Sequence, residues 1–98
     1  MPAYLVAQID VQDPAGFEEY RARVAPVVEA YGGRYMVRTD RLERLEGVEP
    51  RGRLVILEFP SMDAARSFYR SAEYAPLLQQ RLDSTASDIV LVEGYVPG

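Results

Sequence analysis

The seven residues Arg53–Phe59 constrain the fold more than any other segment of the chain. They alternate at the period of an extended strand, and both parities are apolar. Leu54 and Ile56 share one face with Glu58, while Val55 and Leu57 share the other with Phe59. Ile89–Glu93 repeats the pattern, with Ile89 and Leu91 opposed to Val90 and Val92. A sheet with one wet face shows cleaner alternation than this, so both faces of these strands call for cover.

The rest of the chain supplies cover for one face. Leu5–Val11 reads as a first strand, with Leu5, Ala7, Ile9 and Val11 on one side and the preceding Tyr4, Val6, Gln8 and Asp10 on the other. Asp13-Pro14 reads as a helix start, Asp13 as N-cap and Pro14 in the first turn. An apolar stripe follows at Phe17, Tyr20, Val24, Val27, Val28 and Tyr31. Pro26 interrupts this stripe and predicts a kink, and Gly32-Gly33 ends the helix. Arg34–Arg38 is a second strand. The polar segment 39–52 carries seven charges together with Gly47, Pro50 and Gly52. It is long for a hairpin loop, so residues Arg41–Glu46 are expected to run partly extended at a sheet edge. After the Arg53–Phe59 strand, Pro60-Ser61 opens a helix with Ala65, Phe68, Tyr69 and Ala72 inside. Tyr74–Leu82 continues as a shorter helical segment burying Leu77, Leu78 and Leu82. The order β-α-β-β-α-β is that of a ferredoxin-like α+β fold, an antiparallel four-stranded sheet with its helices on one face. Residues 1–98 form one such domain. The bare sheet face then meets another sheet, and a second copy of the chain is the simplest source of one.

Composition narrows the chemistry. The 98 residues contain neither Cys nor His. That removes disulfides, thiolate nucleophiles, Ser-His-Asp catalysis and the usual zinc ligands, and no metal or other cofactor is expected. All eleven basic residues are arginine, and the net charge is −4. An acidic chain without a basic run is poorly suited to nucleic acid or to anionic membranes. No apolar run approaches the roughly 20 residues that span a bilayer. Met1-Pro2-Ala3-Tyr4 has no leader pattern, so a cytoplasmic location is expected. Pro2, exposed as an amine if Met1 is removed, would offer a general base as in tautomerases, but the chain order differs from a tautomerase's paired β-α-β repeats.

Tyr31-Gly32-Gly33-Arg34-Tyr35-Met36-Val37-Arg38 resembles the signature of a bacterial family, domain-of-unknown-function family 1330. Leu45-Glu46-Gly47, Leu57-Glu58-Phe59-Pro60-Ser61, Phe68-Tyr69-Arg70-Ser71, Glu73-Tyr74 and Leu91-Val92-Glu93-Gly94 resemble it too, in order along nearly the whole chain. Thr39-Asp40 stands where that family usually has a glycine pair, Phe68 where Trp is common and Ala72 where Pro is common. The resemblance implies the dimeric α/β-barrel superfamily, in which two ferredoxin-like protomers pack sheet to sheet. It also implies a range of activities, cofactor-free monooxygenases and isomerases of small, often aromatic, compounds, without singling out a reaction.

Six residues are candidates for ligand binding. Arg34 and Glu58 fall on one face of adjacent strands, either as a cross-strand ion pair or as a substrate clamp with a carboxylate base. Arg38, four residues further on, shares the Arg34 face in a regular strand. It serves there either as an anion clamp or as an edge charge that blunts aggregation. Gln8 lies on the face that meets the second sheet, where its amide needs partners from the dimer or from a ligand. Tyr69 and Tyr74 flank the junction of the second helix and the short helical segment, a position suited to a pocket mouth. Catalytic residues are not identifiable. The expected function is a homodimer joined through the open sheet face that binds, or acts without a cofactor on, a small anionic or aromatic molecule. The alternative is a non-enzymatic, structural or ligand-sequestering dimer.

Overall fold

The helix starts are set by two short polar side chains. In the computed structural model, which describes residues 1–49 and 52–98, Asp13 accepts from the Gly16 amide at 3.3 Å and Ser61 from the Ala64 amide at 3.0 Å. Each thereby satisfies one of the amides that a helix N-terminus leaves unpaired. The elements run β1 (Ala3–Val11), α1 (Pro14–Ala30), β2 (Arg34–Thr39), β3 (Arg53–Phe59), α2 (Met62–Tyr69), α3 (Ala75–Ser84) and β4 (Thr85–Glu93). Helix α1 continues through Pro26, which lies on its exposed side. Gly32, with φ of 83°, takes the left-handed turn after the helix. Gly33 then passes so close to the core that a Cβ there would lie 2.7 Å from the Phe59 ring.

The four strands form one antiparallel sheet in the order β2-β3-β1-β4. This is the ferredoxin-like fold. One face carries Ala3, Leu5, Ala7 and Ile9 of β1 with Leu57 and Phe59 of β3, all buried under the helices. Val28, Ala65, Phe68, Tyr74 and Leu77 close the core from the helical side. Phe68 is its hub, its ring centroid 5.3 Å from Phe59 and 4.6 Å from Tyr74. Among the described residues no helix lies on the opposite face. It presents Val6, Leu54, Ile56, Val90 and Val92, of which Val90 remains 53% exposed. The chain is accordingly a slab of 41 × 38 × 16 Å, one sheet and one layer of helices thick, and its described residues close no barrel.

Several local expectations are corrected. Residues Arg41–Glu46 do not extend the sheet; their loop folds on itself, with Arg44 donating to the Gly47 carbonyl at 3.2 Å and pairing with Glu49 at 3.4 Å. Pro50 lies outside the described residues. Strand β4 begins at Thr85 rather than Ile89, because residues 85–88 find ladder partners in Gln8–Val11 of β1. Helix α2 stops at Tyr69 and leaves Ala72 exposed. Ser71 separates α2 from α3 by donating to the Phe68 carbonyl at 2.8 Å and accepting from the Tyr74 amide at 3.1 Å. On α3, Leu77 is buried but Leu82 is 55% exposed, and the position facing the core is taken by Arg81.

Candidate functional site

The six candidate residues divide between the two faces of the sheet. Arg34 and Glu58 are directly opposite each other on β2 and β3, on the open face, and the Arg34 Nε donates to Glu58 Oε1 at 2.8 Å. Tyr4 donates to the other carboxylate oxygen at 3.1 Å. That hydrogen bond, more than anything else around it, raises the Tyr4 hydroxyl above the usual tyrosine range. Gln8 is exposed on the same face, beside Leu54 and the loop of residues 42–48.

Arg38 does not lie with them. A β-bulge between Tyr35 and Val37 leaves Met36 without a partner in β3, so Val37 pairs with Ile56 and Arg38 with Val55. The extra residue reverses the parity of the strand beyond it. Arg38 therefore joins Tyr35 on the helical side, its guanidinium 4.9 Å from the centre of that ring. Such stacking suits a planar cation on an aromatic face.

Tyr69 and Tyr74 come together with Arg38 around a cleft between the helices and the sheet. Its walls include Leu5, Ala7, Leu57 and Phe68, and its polar groups come from Tyr20, Tyr35, Tyr69, Tyr74, Arg21, Arg38 and Arg81. Tyr74 is buried inside the cleft rather than at its mouth. Its hydroxyl lies 2.9 Å from that of Tyr20 and accepts from Arg81 Nε at 3.3 Å. Burial first, and the neighbouring Tyr74 hydroxyl second, push the Tyr20 pKa far above its ordinary value. Burial likewise raises Tyr35, against the pull of Arg38. Arg81 also donates to Ser87 Oγ and, at 3.5 Å, to Tyr69 Oη. The free space is about 50 Å³. That admits a few waters or a single small polar group, against roughly 300 Å³ or more for an ordinary ligand pocket.

Arg81 and Tyr20 were not among the six site candidates, and the sequence marked Tyr20 only as part of the apolar stripe of α1. Arg81 sits one turn after Leu77 and one before Ser84, on a buried stripe at positions i, i+4 and i+7 that the residue types do not mark, since two of the three are polar. Among the described residues, no group of three or more His, Cys, Asp and Glu side chains is placed to hold a metal ion. No helix there is long and apolar enough to cross a membrane.

Residues 2–95 match the family model described as a domain of unknown function, DUF1330, and the chain belongs to that family. The fold is shared with solved structures of low sequence identity. RPA0582 of Rhodopseudomonas palustris, a protein of unknown function, superposes with a TM-score of 0.81 at 19% identity, over 98% of this chain and 84% of its own. SnoaB of Streptomyces nogalater, a cofactor-independent oxygenase, gives a TM-score of 0.72 at 21% identity, over 98% of this chain and 95% of its own. Rv0793 of Mycobacterium tuberculosis gives 0.60 at 17% identity, over 99% and 98%. At these identities the similarity is one of fold. No curated protein matches the chain by sequence.

Proposed function

We propose that this chain is a cytoplasmic, small-molecule-binding domain of enzyme-like build, working as a homodimer joined through its open sheet face, with one site in the cleft of each protomer. The observation that carries the reading is the cleft itself. Apolar walls from the sheet and from Phe68 enclose a few polar groups that converge from α1, α2, α3 and β2, the usual make-up of a ligand site. The likeness in fold to a cofactor-independent oxygenase supports an activity that draws on the chain's own residues. His and Trp are both absent, so the polar groups available are tyrosine and arginine. The open-face cluster of Arg34, Glu58 and Tyr4 is read instead as an ion pair that sets strand register and contributes to the interface.

A second reading is favoured by the volume of about 50 Å³: a dimer whose clefts are filled by its own side chains. The two readings separate in a thermal-shift screen of small carboxylates, phenols and their neutral analogues. A ligand at a hundred times its dissociation constant stabilises the folded state by about 2.7 kcal/mol. Shifts that persist in Arg34→Ala and vanish in Tyr69→Ala are expected for a ligand in the cleft. No shift with any compound overturns the binding reading in favour of the filled one.

A further inference from the structure

Arg81 is the one charged side chain fully buried among the described residues, at 3% exposure. Its three hydrogen-bond partners, Tyr74, Ser87 and Tyr69, are all neutral hydroxyls, and no carboxylate pairs with it among those residues. A guanidinium has five N–H donors, so two remain for another acceptor. Burying a cation without an anion is costly, and buried charges are ordinarily paired. The cleft around it repeats the imbalance. It is lined by Arg21, Arg38 and Arg81 and by no Asp or Glu, in a chain whose net charge is −4. Arg21, on the same lining, pairs through Nη1 with the Glu18 carboxylate at 2.8 Å, and its Nε is buried with no partner.

We infer that the cleft takes a small apolar acid in its ionised form, with the oxyanion held by Arg81 and the tyrosine hydroxyls beside it. This rests on the proposed cleft site and names its ligand class. The planar fork of Arg81 suits the two oxygens of a carboxylate or the delocalised charge of an enolate. The hydrogen-bonded series Arg81–Tyr74–Tyr20 extends the polar floor into the cleft. Leu5, Ala7 and Ile89 supply the apolar wall for the body of the molecule. Because the present space matches a head group alone, seating the body requires the rim pair Arg38 and Tyr35 to swing outward. Arg38 is exposed and Tyr35 half-buried, so that movement disturbs little of the core.

The test is calorimetric titration of the full chain with benzoate and isobutyrate against benzamide and isobutyramide, which match them in shape and lack the charge. The acids are expected to bind at least about tenfold more tightly, the added strength of a charge-assisted hydrogen bond. In Arg81→Gln the preference should shrink to within about twofold, while Arg34→Ala keeps it. If Arg81→Gln does not fold, the wild-type arginine Nε–H resonances decide. One protected resonance should shift with benzoate and not with benzamide, and its absence counts against the inference. Amides binding as tightly as acids would overturn the anion assignment and leave the cleft site standing. A preference that survives Arg81→Gln, or that disappears in Arg34→Ala, puts the anion elsewhere and also overturns it. No binding by any of the four compounds removes the cleft site as well.

Discussion

At the scale of single residues, the cleft shows how a hydroxyl can be kept protonated by its surroundings. Tyr20 is buried and bonded to Tyr74, and its pKa stands well above the 10 of a free tyrosine. In the unfolded chain the same group ionises near pH 10, so above that pH the unfolded state holds fewer protons than the folded one. Stability from this source is therefore complete below about pH 10 and falls as pH rises beyond it, by up to about 1.4 kcal/mol per pH unit for one such group. Urea unfolding from pH 8 to 11.5 should show a flat region and then a decline, and Tyr20→Phe should make the decline shallower. The sequence revealed Tyr20 as a core aromatic, but it did not reveal Arg81. Leu77, Leu78 and Leu82 occupy such a wide arc of α3 that the apolar pattern alone does not fix the phase of the helix. Packing fixes it: with Leu77 inward, Arg81 follows and Leu82 turns to solvent.

Among the elements, β2 was the least legible. Its composition identified a strand, and Arg34 met Glu58 as the pairing rules anticipate. The bulge at Met36 leaves no mark in the residue types, yet it decides which face receives Arg38. Deleting Met36 should therefore give a regular strand in the same register, with Arg38 still toward Tyr35. The expected cost is less than about 2 kcal/mol, within the range of ordinary single changes. Far-UV circular dichroism and the ring-shifted resonances of Tyr35 would check it. Deleting Ile56 from β3 should abolish folding, because a one-residue slip in a strand paired on both sides turns its buried residues outward. Caps were the most legible signals of all. Asp13 and Ser61 each form the hydrogen bond that their positions require, since a cap depends on a few neighbouring residues and not on tertiary context.

For the whole molecule, the element order and the surplus of apolar strand surface were readable because both follow from periodicity. The closure of a second sheet over the open face is a proposal with a direct check. Light scattering at micromolar concentration should return about twice the chain mass of 11.0 kDa. Ile56→Arg, which places a charge at the middle of that face, should give a monomer with unchanged helical content. A wild-type monomer would leave the apolar face unexplained and defeat the dimer.

The strand order has a consequence for how the chain is made. The first strand is central, flanked by β3 on one side and by the last strand, β4, on the other, where Ala3 lies opposite Glu93. Of the four strands β1 is made first, and its edge toward β4 can begin to pair only once Thr85 has been added and is complete only at Glu93. Such long-range pairing slows folding and leaves a strand edge open to strangers in the meantime. The sheet is thus completed only when β4 arrives, and β1, made before the other three strands, is among the last to be enclosed.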